Sequence, residues 1–484
     1  MSATALEHRV SPDTPQITAV LADRAGVLAG PELSGVVVNV ADELRRRGVR
    51  RGQRVLLKGD NAVEYVVTLL ALMHLDTSIV IVDSQQTAAE TETLVRRTRS
   101  TWLVTPEETA MAGVTSLGYA DVVRAARANP APGRTVRLAD WFRRPDAAVL
   151  WSSGTTGPAK GVVKPGWAIA DNTARTGAVM GYRPDDVMVP WLPFSHQYGL
   201  SLVLLWWQTG CSLVVTDYRR LTQAMADAVR FQATVVDATP STYHSLVNIL
   251  RRRPDLREPL RTVRVWGVGG APLPAPLARD FREIVGAPLL DGYGLTEAGN
   301  VALATPENPV GCGRPLPGVE LRVLDAHGNP VAPGELGEVV LRSPGLMAGY
   351  LDDNGEVVPL QAGEWYRTND LARLDADGNL HVVGRRNAVH RLGYTLYPQS
   401  IERKAEECGR PVAVVPIEDE RRGVALAFFV ADPDGNDAAY WRRRISSLLP
   451  AYEQPNVVRV VDQFPLNRNG KVDTAALRQM LTRR

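Results

Sequence analysis

Apolar runs of strand length alternate with amphipathic stretches of helix length through the N-terminal part of this chain, and few folds accommodate that order. LSGVVVNVADELRRRGV has the period of a helix with one apolar face, and the GVRRGQ turn follows it. RVLLKGDN reads as a short buried strand ending in a turn, AVEYVVTLLALMHL returns to helical period, and TSIVIVD is again a strand. The order recurs through TWLVTP, AAVLWSS, VMVPWLP, SLVVTD, ATVVDATP and TVRVWGVGG. Repeated strand-then-helix order predicts an α/β fold of mostly parallel sheets covered by helices. After about Gly311 the pattern changes. GVELRVLDAHGNPVAPGELGEVVLRS has short alternating strands and Gly/Pro/Asn turns, which predicts an antiparallel meander or a small β-barrel-like subdomain, and DADGNLHVVG continues it as a hairpin. Past Arg386 short mixed elements return: IERKAEECG as a helix, PVAVVPIED and GVALAFFVA as strands, DAAYWRRRISSLL as a helix. The expected division is a large unit over 1–386 and a small α+β unit over 387–484.

Composition narrows the function. Among 484 residues, 55 basic side chains stand against 53 acidic ones, a net charge of +2, and the basic ones are scattered. A nucleic-acid binder usually concentrates its positive charge, so none is expected as a partner. Five of the 55 are lysine (Lys58, Lys160, Lys164, Lys404 and Lys471) and the other 50 are arginine, which suggests GC-rich codons and a bacterial source. Cys211, Cys312 and Cys408 lie far apart without a CxxC pair, so neither a disulfide framework nor a zinc site is expected. A reduced, cytoplasmic setting fits. MSATALEHRVSPDTP lacks the basic start and apolar run of a signal peptide. The longest apolar stretches are interrupted by His74, Asp76, Gln208 or Gly210, so they read as core and not as membrane spans.

The chemically richest segment is VLWSSGTTGPAKGVV, residues 149–163. An apolar strand runs into Ser152, Ser153, Gly154, Thr155, Thr156 and Gly157, then Lys160 and Gly161. Small residues expose backbone N–H groups, hydroxyls add donors and the lysine adds charge, a combination suited to nucleotide phosphates. It is not a Walker loop, because Gly161 follows Lys160 where Ser or Thr would be required. Taken alone, the segment could also be a flexible turn between strands.

This loop resembles the phosphate-binding signature of the adenylate-forming superfamily, which includes acyl- and aryl-CoA synthetases, adenylation domains of nonribosomal peptide synthetases and firefly luciferase. Further segments resemble that superfamily's motifs in the expected order: LPFSHQYGL (192–200), GVGGAPL (267–273), DGYGLTEAG (291–299), EWYRTNDLARLDADGNLHVVGRR (364–386), LPAYEQP (449–455) and PLNRNGKVD (465–473). The resemblance implies that a substrate carboxylate attacks the α-phosphate of ATP, giving an acyl-adenylate and pyrophosphate. It implies Ser152, Ser153, Thr155, Thr156 and Lys160 around the departing phosphates. Glu297 is implied as the Mg²⁺ ligand, in keeping with that ion's hard-oxygen preference; a lone glutamate could equally be a solvated surface carboxylate. Tyr293 is implied to stack on adenine, with Gly270, Ala271, Pro272, Asp291, Gly294 and Thr296 around it. Asp370, assisted by Arg385, is implied to bind the ribose hydroxyls, although an aspartate there could also cap a turn. Lys471 is implied to stabilise charge between carboxylate and α-phosphate, while NRNGK could also be a plain type I′ turn. His196 is implied to gate the acceptor tunnel, or is a structural histidine. A hinge is implied at Asn387, about which the small domain rotates to bring Arg391-Leu392-Gly393-Tyr394 forward for the second half-reaction.

Several positions depart from the superfamily's usual residues: Asp76, Gly166, Asn369, Asn387 and Arg391. Asparagine at 369 suits a left-handed backbone where glycine is common. The segment Phe194-Ser195-His196-Gln197-Tyr198 lacks the aspartate that would pair with an α-ammonium, which favours aryl or acyl acids over α-amino acids. The resemblance implies a substrate pocket of Tyr198, Leu202, Asp237, Val268, Gly269, Gly294 and Ala298. Asp237 is either a satisfied buried turn residue or the group that recognises a polar or amino substituent. The expected activity is an ATP- and Mg²⁺-dependent acid ligase. Its acyl group would pass to coenzyme A, or alternatively to the phosphopantetheine of a carrier protein or to an amine. A catalytically silent nucleotide-binding scaffold is the remaining alternative.

Overall fold

The computed structural model describes residues 19–130, 133–152, 160–361, 363–385, 389–391, 394–419, 423–449 and 453–482. The first amphipathic segment forms the helix Gly30–Arg47, which buries Leu33, Val36, Val37, Val40, Ala41 and Leu44 along one stripe. It stops at Gly48, whose φ of 115° lets it close the last turn. The apolar segment after the next strand forms Val63–His74, buried on nearly every side.

Among the described residues these elements build two large sheets. One has eight strands in the spatial order 357–359, 349–351, 160–164, 148–152, 78–83, 54–59, 102–105 and 115–118. Its strands from 54–59 through 148–152 pair in parallel, whereas 160–164, 349–351 and 357–359 add antiparallel partners at one edge. The second has nine strands, with a parallel centre that includes Val187–Met188, Val235–Ala238, Val265–Gly269 and Leu290–Leu295, and antiparallel edges. Helical crossovers join parallel strands such as Arg54–Gly59 and Ser78–Asp83, whereas short direct connections join antiparallel pairs such as Gly349–Leu351 and Val357–Pro359. The meander expected after Gly311 is a four-stranded antiparallel sheet, Glu320–Leu324, Gly337–Arg342, Tyr366–Leu374 and Leu380–Arg385. The C-terminal part has its own core of Leu396, Ile401, Val414, Phe428, Trp441 and Ile445 around a three-stranded sheet.

Three of the departures acquire physical reasons. A Cβ on Gly166 would lie 2.2 Å from the Trp141 carbonyl oxygen, so close packing of the helix that starts there excludes a side chain. Asp76 has φ 54° and is nearly buried, and its carboxylate accepts from Arg51 at 2.7 Å and Arg144 at 3.3 Å. Asn369 has φ 59° where three residues, 368–370, stand opposite the single residue Val339, a bulge that re-aims the strand.

Candidate active site

The parallel strands deliver polar residues at their C-terminal ends, where open α/β sheets bind ligands. Asp83 ends the strand Ser78–Asp83 of the first sheet, and Ser152 ends Ala148–Ser152. Asp237 and Gly269 lie at the ends of Val235–Ala238 and Val265–Gly269 of the second. Between the sheets lies a cavity of about 190 Å³. It brings together Ser152, His196, Tyr198, Leu202, Asp237, Val268, Gly269, Gly270, Gly294, Thr296, Glu297 and Lys471, which come from well-separated stretches of sequence.

His196 precedes the helix Gln197–Thr209 and its Nε2 lies 3.3 Å from Asp83 Oδ2. The same carboxylate oxygen accepts from Ser195 Oγ at 2.9 Å, and the other oxygen accepts from the Gln85 N–H at 2.8 Å. Burial alone would raise Asp83, but the nearby His196 and the hydrogen bonds from Gln85 and Ser195 hold it below the usual carboxylate value. Asp83 was not singled out in the sequence; its one signal is an acid closing an otherwise apolar strand.

Glu297 is 6% exposed, and Tyr350 donates its hydroxyl to Oε1 at 3.0 Å. The Tyr350 ring carries the Lys160 ammonium 5.0 Å from its centroid, a cation–π contact. Beneath Glu297 lies Lys164, 1% exposed, donating to the Glu297 carbonyl at 3.2 Å and to the Gly345 carbonyl. Burial lowers Lys164 to about 7, against an upward pull from the Glu297 charge. Neither Tyr350 nor Lys164 was picked out as a site residue, because each becomes interpretable only once Glu297 is beside it.

Lys471 lines the cavity from the C-terminal part, together with Asn469. Its turn is not type I′. The Asn467 N–H donates to the Lys471 carbonyl and the Gly470 N–H to the Asn467 carbonyl, and of the three residues between, Gly470 alone has positive φ, 70°. A three-residue hairpin loop of this kind uses a type I turn closed by a left-handed glycine, whereas type I′ would need two successive left-handed residues. Two contacts seat this turn on the larger unit: an Arg468–Glu90 ion pair and Ser241 Oγ donating to the Gly470 carbonyl at 3.4 Å.

Other expected residues lie at the cavity's rim or away from it. The strand Leu290–Leu295 sends Leu290, Gly292 and Gly294 to the cavity and Asp291 and Tyr293 to its other face, and Leu295 at its end also reaches the cavity lining. There Tyr293 donates its hydroxyl to Asp370 Oδ2 at 2.7 Å. Asp291 accepts from Cys312 Sγ at 3.3 Å, and burial raises it to about 6. Ala298 is fully buried in the core beside Tyr293 and does not line the cavity. Gly270 is exposed at the rim, with Ala271 half-buried and Pro272 exposed. The backbone of Arg385 pairs with Asp370 across two strands. Ser153, Thr155, Thr156, Asn387, Leu392 and Gly393 lie outside the described residues.

Asp237 is a strand residue and not a turn residue. It is 3% exposed, and its Oδ1 accepts the Tyr198 hydroxyl at 2.6 Å. Burial raises it to about 6, with the Tyr198 hydrogen bond opposing.

Residues 8–351 match the AMP-binding enzyme family, and residues 410–471 match its C-terminal domain. The chain belongs to the AMP-binding enzyme family. This AMP-binding enzyme is 28% identical to a 3-[(3aS,4S,7aS)-7a-methyl-1,5-dioxo-octahydro-1H-inden-4-yl]propanoyl:CoA ligase of Mycobacterium tuberculosis, over 96% of each chain. It superposes on ATP-bound MatB from Rhodopseudomonas palustris with a TM-score of 0.84 and 24% identity, over 99% of this chain and 98% of the other. It also superposes on the amide bond synthetase McbA of Marinactinospora thermotolerans, with a TM-score of 0.81 and 25% identity over 96% and 97% of the two chains. Both the superfamily and the α/β architecture expected from the motifs are thereby established. Among the described residues no helix of this AMP-binding enzyme is long and apolar enough to cross a membrane.

Proposed function

We propose that this AMP-forming ligase activates an aryl or acyl carboxylic acid with ATP and passes the acyl group to the thiol of coenzyme A. The observation that carries the reading is the meeting of Lys471, Glu297, His196 and Ser152 at one cavity, from four separate segments. Attack of a carboxylate on an α-phosphate brings two anions together, and Lys471 supplies the positive charge there. Lys160 and Ser152 hold the departing phosphates. His196, tethered through Asp83, closes the acid end of the cavity. The small domain carries Lys471 in for the first step and rotates about Asn387 for the second.

No group of three His, Cys, Asp or Glu side chains that could hold a metal by itself occurs among the described residues. A single carboxylate fits Mg²⁺, which commonly completes its shell with substrate phosphates and water, so Glu297 would hold the ion with the nucleotide, and the ion would neutralise developing phosphate charge. A second acceptor, an amine, is favoured by the likeness to an amide bond synthetase.

The test is acid-dependent pyrophosphate release, with hydroxylamine trapping of the acyl-adenylate and then exchange of acceptors. Lys471→Ala should slow adenylation about 100-fold and leave acyl transfer from supplied acyl-AMP intact. No release across a broad acid panel would return the chain to the silent-scaffold alternative.

A further inference from the structure

The cavity holds a buried carboxylate that the proposed chemistry does not use. Asp237 Oδ1 is satisfied by Tyr198, but Oδ2 is sealed from solvent and has no hydrogen-bond partner. The residue lines the cavity. A buried polar atom without a partner costs about 1–3 kcal/mol, more when charged, so a chain that retains one there is giving up stability. The surrounding backbone is shaped to admit this carboxylate. A Cβ on Gly267, its neighbour in the adjacent strand, would lie 2.2 Å from Oδ1 and 3.3 Å from the Tyr198 hydroxyl.

The shape of the cavity around it restricts the ligand. Gly267 and Gly269 on one strand and Gly292 on the next carry no side chain, and the space this leaves is taken by Asp237, Tyr198 and Leu303, which with Leu202 wall the slot. A Cβ on Gly269 would stand 3.2 Å from the Tyr198 ring, so the bare glycine makes room for that ring to form the slot's aromatic wall. Such a slot takes a flat group.

We propose that the substrate is an aromatic or heteroaromatic carboxylic acid bearing an N–H donor, an amino substituent or a ring N–H, which bonds Asp237 Oδ2. The donor completes the carboxylate's hydrogen bonding, and the ring packs against Tyr198, Leu202 and Leu303. This deepens the acid-ligase reading and rests on it.

The experiment uses the full chain with matched pairs of acids: ortho-, meta- and para-aminobenzoate against the corresponding toluates, and indole carboxylates against the corresponding benzothiophene carboxylates. The readout is acid-dependent pyrophosphate release, expressed as kcat/KM. In at least one pair the N–H member should be preferred by about 10- to 100-fold, the range of a hydrogen bond to a charged partner. Asp237→Leu should erase or reverse that preference while ATP still raises the melting temperature. Asp237→Asn, nearly isosteric, should cut it about 10-fold and serves where the leucine variant does not fold. Equal turnover within every wild-type pair, or a preference that survives both substitutions, overturns the assignment of Asp237 while leaving the ligase reading standing. Absence of release from every acid overturns both.

Discussion

Lys164→Met isolates what the buried ammonium does. In the fold Lys164 loses its proton near pH 7, whereas in the unfolded chain it keeps it until about 10.5. Between those values the unfolded state binds more protons than the native state, so the contribution of Lys164 to stability rises with pH. Its cost is fully present below pH 7 and is relieved progressively above. Integrating from pH 7 to pH 9 gives about 2 kcal/mol in favour of the wild type relative to a variant that cannot titrate there. At roughly 2.1 cal/mol/K per residue, unfolding a chain of 484 residues carries an entropy near 1 kcal/mol/K, so the shift is about 2 °C. Scanning calorimetry of both proteins at pH 7, 8 and 9 reads it. Other titrating groups cancel in the comparison, because both proteins share them. Lys164→Met should melt below the wild type, since the Glu297 and Gly345 carbonyls lose a donor, and the gap should widen by about 2 °C across the series. A gap independent of pH would mean that Lys164 stays charged in the fold and that the Glu297 field outweighs burial, which would refute the reasoning.

Two further substitutions probe the cavity from different sides. Gly267→Ala drives a methyl group to within 2.2 Å of Asp237 Oδ1. It should destabilise the protein by about 1.5–3 kcal/mol through the strained Tyr198 hydrogen bond and raise KM for the acid more than for ATP; a wild-type melting temperature and an unchanged KM for the acid would show the Asp237 site to be pliant. Arg468→Glu replaces an attraction to Glu90 with a repulsion between side chains 37% and 45% exposed. Solvent screening keeps the effect near 1 kcal/mol, so adenylation should fall about five-fold at low salt, recover at high salt, and leave transfer from supplied acyl-AMP unaltered. An equal loss at both ionic strengths would count against a docking role.

What the sequence disclosed and what it withheld divide along the range of the interaction. Strands such as TSIVIVD and helices such as LSGVVVNVADELRRRGV are legible because period and burial coincide locally. Asn369 is legible for a similar reason, since few non-glycine residues take a left-handed backbone readily. Asp83 and Lys164 are not legible. Each sits in a strand that reads as apolar filler, and each meets its partner, His196 or Glu297, across more than a hundred residues. Asp291 shows the converse. A motif placed it beside the nucleotide, but the two-residue period of Leu290–Leu295 turns it to the face opposite the glycines, where Cys312 satisfies it.

The scarcity of lysine gives the arrangement around Glu297 its meaning. Of five lysines in the chain, three converge on that one residue or its cavity. Lys160 lies over the tyrosine that donates to its carboxylate, Lys164 lies under its backbone, and Lys471 shares its cavity. Three full charges so close together would repel one another and compete for the same phosphates. The burial that brings Lys164 to about 7 removes part of that conflict. A neutral amine still donates to two carbonyls, so it can brace the Glu297 backbone while placing less positive charge beneath a site that, in the proposed reaction, binds and then releases pyrophosphate. Arginine could not take this role, because its guanidinium stays protonated when buried. Lysine at 164 thus offers an ability to lose charge that arginine lacks, whereas in the proposed reaction Lys160 and Lys471 act as compact charges on flexible stems.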